Sequence, residues 1–173
     1  MAPNVTMVSD TLRPQLIALP SLMTVVGKTF TTPLLTPPGI VAGVAYADKD
    51  AMGTAFFFDV PKSGVILSAS YYDLDDEALA IDLWLLRDAP TVQTDNAALT
   101  FGDGDIVKVI KRLSFLTATF GDAVDCQVSE LDNIGRAYAL PSRRMWGQVQ
   151  ARSAPTIAAS NWPMFQLTIL ADE

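Results

Sequence analysis

The stretch that decides the fold is GVILSASYYDLDDEALAIDLWLL, residues 64–86. Successive side chains of a β-strand point to opposite faces, so strict alternation along a short segment marks a strand. Before the acidic stretch at residues 73–77, one face of the predicted strand carries Val65, Leu67, Ala69 and Tyr71. The other face carries Ile66, Ser68, Ser70 and Tyr72. After it, Leu79, Ile81, Leu83 and Leu85 share a face. With the acidic residues 73–77 between the two halves, the pattern predicts an antiparallel β-hairpin with a solvated tip.

Further strand-like segments follow at short intervals, at residues 41–47, 54–60, 113–120, 135–140, 145–151 and 165–171. The consecutive Phe56, Phe57 and Phe58 are apolar on both sides, which predicts a strand covered on both faces. About seven or eight short strands separated by turn residues predict a mostly β protein. The expected architecture is an antiparallel β-sandwich with jelly-roll-like connections.

One short helix is expected after a long loop at residues 87–104. Asp103 and Asp105 precede apolar residues at helical spacing, and an aspartate in that position is a common N-cap. The apolar residues of this predicted helix are Ile106, Val109, Ile110 and Leu113.

The first forty residues differ from the rest, because prolines recur there without helical periodicity. Proline fixes φ and removes a backbone donor, so residues 1–40 are interpreted as an extended arm and residues 41–173 as the sandwich domain. The arm is too apolar to remain in water, and we expect it to lie on this subunit or on a neighbouring one. Its predicted interface residues are Leu12, Leu16, Ile17, Leu19, Leu22 and Met23.

Composition excludes several classes of function. The net charge of −7 argues against nucleic acid, which rewards clustered lysine and arginine. No apolar stretch is long enough to span a bilayer, and no secretion signal is visible, so the expectation is a soluble protein made in the cytoplasm. Since 50% of the residues are hydrophobic and only 18% are charged, some apolar surface is expected to be covered in a homo-oligomer.

The residues offer little for catalysis or metal binding. Histidine is absent and Cys126 is the only cysteine, which leaves no base for a nucleophilic triad and no zinc site. Gly27, Lys28 and Thr29 resemble the end of a phosphate-binding loop, but the required upstream glycine is replaced by Leu22. The acidic residues 73–77 could hold Ca²⁺, although a solvated turn is the simpler interpretation. We therefore predict no catalytic residue, no cofactor and no metal ligand.

Three patches carry a resemblance to a known class of protein. The first is PKSGVIL (61–67) with DLWL (82–85), and the second is TDNAAL (94–99) with DGDIVKVI (103–110). The third is IGRAY (134–138), WGQVQAR (146–152) and APT (154–156). Together they resemble small virion structural proteins of tailed bacteriophages, of the kind that decorate or cement the head, over roughly residues 50–171.

This resemblance implies a non-enzymatic β-sandwich subunit on the head surface of the virion. Its partners would be the major capsid protein and two further copies of itself in a homotrimer, and its binding would stabilise the mature lattice. Residues 12–26 would act as the clasp, with Trp146 and Trp162 as aromatic anchors. Three other interpretations stay open: a carbohydrate- or receptor-binding module of the tail, a tail or connector component, and a glycosidase with two facing carboxylates.

Overall fold

The computed structural model describes residues 27–75, 77–117, 120–123, 126–158 and 161–172, and these form a mostly β molecule. The strands are β1 (Lys28–Thr31), β2 (Ala51–Asp59), β3 (Ser63–Asp73), β4 (Ile81–Leu86), β5 (Val109–Phe115), β6 (Phe120–Ala123), β7 (Cys126–Leu131), β8 (Arg136–Ala139), β9 (Arg144–Ala151) and β10 (Met164–Ala171). One helical turn, α1 (Asp103–Ile106), lies between β4 and β5.

The strands form two antiparallel sheets that share one apolar core. The first sheet has the order β1-β10-β3-β7-β6, with β8 also paired to β3, and the second has the order β2-β9-β4-β5. Inward side chains of both sheets meet in a single buried cluster. The predicted antiparallel sandwich is therefore confirmed.

The predicted hairpin is wrong, although both of its strands exist. β3 pairs with β10, β7 and β8 in the first sheet, whereas β4 pairs with β5 and β9 in the second. The acidic connection thus crosses from one sheet to the other. Five of the six β4 residues are buried, which suits a central strand with a covered outer face rather than one arm of an exposed hairpin.

A β-bulge changes the predicted faces of β3. Ser68 pairs with Thr168 but Ile66 pairs with Ile169, so Leu67 is the extra residue in this ladder. As a result, Ile66 joins Ala69 and Tyr71 in the core, where strict alternation would have placed Leu67.

Two other local predictions fail near the second sheet. Residues 41–47 form no strand and contribute only the isolated bridge of Ala45 to Thr156. Among the described strands, β2 lies at the edge of the second sheet. It is not covered on both faces, because Phe56 and Phe58 are buried while Phe57 is 40% exposed.

The expected boundary between arm and sandwich also moves. β1 already pairs with β10, from Lys28 opposite Ala171 to Thr31 opposite Thr168. Residues 28–40, assigned to the arm from their prolines, therefore belong to the sandwich. Lys28 and Thr29 lie in this strand, and a Cβ on Gly27 would come within 2.7 Å of the Leu170 side chain.

The predicted helix is only one turn long. Val109, Ile110 and Leu113 belong to β5, which pairs along β4. The helix begins after Gly102 without a side-chain cap, so Asp103 and Asp105 are not caps. Asp105 instead accepts hydrogen bonds from Lys108 Nζ at 2.8 Å and from the Thr91 amide, and these bonds hold the pKa of its carboxyl below the ordinary value.

The predicted long loop before the helix folds over the outer face of the second sheet. Phe101 packs edge-on against Trp84, with ring centroids 5.4 Å apart. Asp95 fixes the loop to the sheet, because its carboxylate accepts hydrogen bonds from the Tyr46 hydroxyl at 2.8 Å, the Gly53 amide at 2.6 Å and the Val41 amide at 3.2 Å.

Aromatic rings occupy the centre of the core. Tyr71 of β3 and Phe165 of β10 are stacked with centroids 5.2 Å apart, and Phe115 and Phe56 of the second sheet lie within 6.3 Å of Phe165. Rings from both sheets therefore fill the space between them at contact distance.

Candidate interaction site

An aromatic pair stands on the outer surface of the second sheet. Phe57 of β2 and Trp146 of β9 are direct partners in the strand register, with ring centroids 5.5 Å apart. Since Phe56 and Phe58 point into the core, the pleat turns Phe57 outward. The Arg144 guanidinium carbon lies 4.6 Å from the centre of the Phe57 ring, in a cation–π contact.

These rings form one wall of an apolar depression of about 400 Å³, which we call the edge groove. The opposite wall is the segment after β1, held in place by two backbone hydrogen bonds between Leu35 and Phe165. Among the described residues, no charged side chain lines the groove itself, although Arg144 lies against the Phe57 ring. Its principal lining residues are Leu35, Thr36, Pro38, Ala55, Phe57 and Trp146.

Trp162 borders a second depression on the other side of the same segment. This depression, of about 320 Å³, is lined by Trp162 together with Thr36, Pro37, Pro38, Gly39 and Ile40. Trp146 and Trp162, the two predicted aromatic anchors, therefore flank one proline-containing segment although they are sixteen residues apart. The third tryptophan, Trp84, is partly buried like the other two, but it packs edge-on against Phe101 and lines neither depression.

The other predicted interface residues cannot be placed. Leu12, Leu16, Ile17, Leu19, Leu22 and Met23 lie outside the described residues. Their interface role remains a prediction.

The acidic connection between β3 and β4 is not a solvated tip. Asp73 is only 2% exposed, and its two oxygens accept hydrogen bonds from the Asp75 amide at 3.0 Å and the Leu79 amide at 3.2 Å. Asp75 accepts from the Ala158 amide at 2.7 Å and from Asn161 Nδ2 at 3.2 Å. Asp73 therefore holds the β3–β4 connection together, and Asp75 joins it to the β9–β10 connection.

The hydrogen bonds accepted by Asp73 and Asp75 also bear on whether this connection could bind Ca²⁺. Within the described ranges, no three or more acidic, cysteine or histidine side chains gather as a metal site would require. Burial raises the pKa of Asp73 above its ordinary value, with the backbone donors of Leu79 and Asp75 acting in the opposite direction.

Tyr71→Phe is expected to stabilise the protein. Among the described residues, the buried Tyr71 hydroxyl has no hydrogen-bond partner, and burying such a group costs about 1–3 kcal/mol. Burial, reinforced by the negative charges of Asp73, Asp75 and Glu77, raises the pKa of Tyr71 well above its ordinary value. The folded state therefore retains a proton that the unfolded chain releases near pH 10, so the stability of the wild type falls as pH rises above about 10.

Urea unfolding between pH 7 and 11 tests this expectation. Tyr71→Phe should raise the midpoint at pH 7 and should weaken its decline above pH 10. Tyr46→Phe is the matched control, because its hydroxyl donates to Asp95 and its removal should lower the midpoint at pH 7. Equal losses of stability in the two variants would contradict the interpretation.

Apart from Trp146, the lining residues of the edge groove were missed by sequence reasoning. Leu35 and Pro38 were assigned to the arm, and Phe57 was assigned to the interior. The run of three phenylalanines contained a usable signal, since alternation in an edge strand must turn the middle ring outward.

Comparison with protein-family models, with curated proteins and with solved structures finds no match to this chain. Within the described residues, no helix has the length and apolar character needed to cross a membrane.

Proposed function

We propose that this protein is a non-enzymatic structural subunit of a phage virion, most concretely a decoration or cement protein of the head. The observation that carries the proposal is the edge groove, an uncharged aromatic-lined surface placed beside the second anchor, Trp162. Interface energy concentrates in such aromatic residues when a partner covers them. The proposed partners are the major capsid protein and, in a homotrimer, further copies of the chain.

The strand order supports the predicted jelly-roll connections. Setting β6 and β8 aside, the sheets read β1-β10-β3-β7 and β2-β9-β4-β5, so that every connection except β4–β5 crosses from one sheet to the other. We interpret this order as two interlocked Greek keys, the arrangement of jelly rolls, which viral capsid and lectin domains share. A fold of this kind serves several functions, so the order supports the proposal only together with the groove.

Cementing would work by mass action. A subunit that binds the mature lattice and not its dissociated parts stabilises that lattice by its own binding free energy. Such binding needs apolar surface that becomes covered on assembly, and Phe57, which lines the groove, is a large apolar residue that is 40% exposed. It needs no catalytic group, which agrees with the absence of histidine from the sequence.

Copy number in purified particles of the phage that encodes this chain tests the proposal. Quantitative mass spectrometry with the major capsid protein as internal standard is expected to give a simple ratio between the two proteins. A handful of copies per particle would contradict a shell role and favour the tail or connector. If the protein is absent from purified particles, the proposal that it is a virion protein is wrong.

One observation favours a carbohydrate- or receptor-binding role as the second candidate. Phe57 and Trp146 present ring surface to solvent, and aromatic rings commonly stack on sugars. Of the described residues that line the groove, only Thr36 contributes a hydroxyl side chain, whereas sugar recognition requires several hydrogen-bonding groups. Binding on a glycan array that is lost in Trp146→Ala would support this candidate.

A further inference from the structure

A third depression, larger than the edge groove, lies on the outer face of the first sheet. Its volume of about 540 Å³ falls within the range of about 300–1,000 Å³ that is typical of small-molecule sites. Its walls come from β3, from β10 and from the connection between β7 and β8. We call it the outer-face pocket, and its lining residues are Leu67, Ser68, Asp132, Asn133, Gly135 and Thr168.

The β-bulge in β3 builds one wall of this pocket. Strict alternation would turn only one of Leu67 and Ser68 away from the core, but the extra residue leaves both half-buried on the outer face. Ser68 lies opposite Thr168 in the register with β10, so two hydroxyl side chains stand side by side. The bulge therefore brings one apolar and two hydroxyl side chains together.

The connection between β7 and β8 builds the opposite wall. The Ile134 amide donates to the Leu67 carbonyl at 2.9 Å, which holds this connection against the bulge. Asn133 and Gly135 have positive φ angles of 55° and 60°, so the chain curls on both sides of Ile134. Asp132 and Asn133 remain exposed in this arrangement, and they place a carboxylate and a carboxamide at the pocket.

The four polar side chains of the pocket keep their hydrogen-bonding capacity for a ligand. Within the described part of the chain, the side chains of Ser68, Asp132, Asn133 and Thr168 form no hydrogen bond or ion pair. The Asp95 carboxylate, by contrast, is occupied by three donors of the protein itself. The pocket thus offers two hydroxyls, one carboxylate and one carboxamide.

These groups favour a neutral ligand that is rich in hydroxyls. A hydroxyl both donates and accepts, so it can pair with carboxylate, amide and hydroxyl side chains alike. An anion is disfavoured, because Asp132 is negatively charged and the described lining contains no lysine or arginine. Ca²⁺ takes about six to eight oxygen ligands, commonly including several carboxylates, and this lining supplies one carboxylate.

We propose that the outer-face pocket binds a neutral saccharide residue. Asp132 and Asn133 bind the sugar hydroxyls from one side, and Ser68 and Thr168 bind them from the other. Leu67 packs against the C–H surface of the sugar ring. The polar groups fix the orientation of the sugar, as in other small-molecule sites.

This site is separate from the edge groove. Phe57 and Trp146 stand on the outer surface of the second sheet, whereas the pocket opens on the first, so the two sites can be occupied at the same time. The inference does not rest on the virion proposal, because it concerns the isolated protein. It also differs from sugar stacking in the edge groove, since it uses other residues and needs no aromatic ring.

Titration of the full-length, isotopically labelled protein with methyl glycosides tests the inference by NMR. The probes are the methyl glycosides of glucose, galactose, mannose, fucose and xylose. For an open pocket with four polar groups we expect dissociation constants of about 0.1–10 mM. At least one probe should give saturable shifts at the amides of residues 67–68, 132–135 and 168. Saturable shifts confined to another surface, or none with any probe, would overturn the inference.

Asp132→Ala is expected to weaken binding of the best probe about tenfold or more, because hydrogen bonds to a charged group are the strongest. Thr168→Val keeps the size of the side chain and removes its hydroxyl, and about threefold weaker binding is expected. Asp103→Ala is the matched control, since it removes an exposed carboxylate from α1 and should leave the affinity unchanged. The spectra of the variants show whether the sandwich is intact, and unchanged affinity in both pocket variants would contradict the proposal.

Two further results would assign the binding elsewhere. Loss of sugar binding in Trp146→Ala, with full binding in Asp132→Ala, would place the sugar in the edge groove and overturn the inference. Calcium chloride that shifts the pocket amides when no glycoside does would identify a cation site and would overturn it as well.

The length of the saccharide identifies the source of the ligand. An oligosaccharide of the best probe that binds more tightly than the methyl glycoside indicates an extended glycan chain, whereas equal affinity indicates a single terminal or free sugar. Both results support a saccharide site. The copy number of the protein in particles does not affect any of these measurements.

Discussion

Phe165→Ala is expected to lower the free energy of unfolding by about 3–5 kcal/mol, the usual cost of removing a buried aromatic ring. Phe165 is fully buried and stacks on Tyr71 in its own sheet. It also faces Phe56 and Phe115 of the second sheet. Removal of its ring leaves a cavity between the sheets that these surrounding rings cannot fill without moving their strands.

Chemical denaturation monitored by circular dichroism measures this loss. Phe57→Ala is the matched control, because it removes the same ring from a position that is 40% exposed, and about 1 kcal/mol is expected there. Similar losses in the two variants would contradict the placement of Phe165 at the centre of the core.

Asp95→Ala is expected to destabilise the protein by about 2–4 kcal/mol. Its carboxylate is the acceptor for the Tyr46 hydroxyl, the Gly53 amide and the Val41 amide. Hydrogen bonds to a charged acceptor contribute about 1.5–3 kcal/mol each, and donors left without a partner in a partly buried site add a desolvation cost. The loss should be local, because the loop over the second sheet would detach before the core opens.

Hydrogen exchange should locate the effect of Asp95→Ala at residues 41–46 and at Gly53, with little change in β3 and β10. Asp88→Ala is the control, since Asp88 is exposed and its ion pair with Arg87 is 4.0 Å long, a geometry that contributes little. Uniform acceleration of exchange throughout the sandwich would contradict a local role for Asp95.

The strands could be predicted from the sequence, but their partners could not. Alternation located β10 almost to the residue, and it located β3 and β4 as well. It carries no information about pairing, however, and the nearest available partner for β3 was β4. The deciding physical facts are the burial of both faces of β4 and the hydrogen bonds that Asp75 accepts from Ala158 and Asn161, in the connection between β9 and β10.

Other predictions failed where the same residues are compatible with both a helix and a strand. Val109, Ile110 and Leu113 fit helical spacing, yet tertiary pairing with β4 places them in a strand. The bulge at Leu67 shifts every inward position before it and has no signature in the residues themselves. The anchors Trp146 and Trp162 could be selected as large aromatic residues, but the proline segment that unites them is positioned by Leu35, whose pairing with Phe165 spans 130 residues.

The pairing of β1 with β10 has a consequence for the order of events during synthesis. The first strand of the sandwich joins the last one, with Lys28 opposite Ala171, so the first sheet cannot close while its C-terminal strand is still inside the ribosome. Folds dominated by contacts between distant parts of the chain form slowly, because the entropy of closing long loops is lost before the contacts are gained. The nascent chain therefore leaves β1 without its partner until β10 has been synthesised and released, and a product truncated before Met164 has no strand to hold β1 in place.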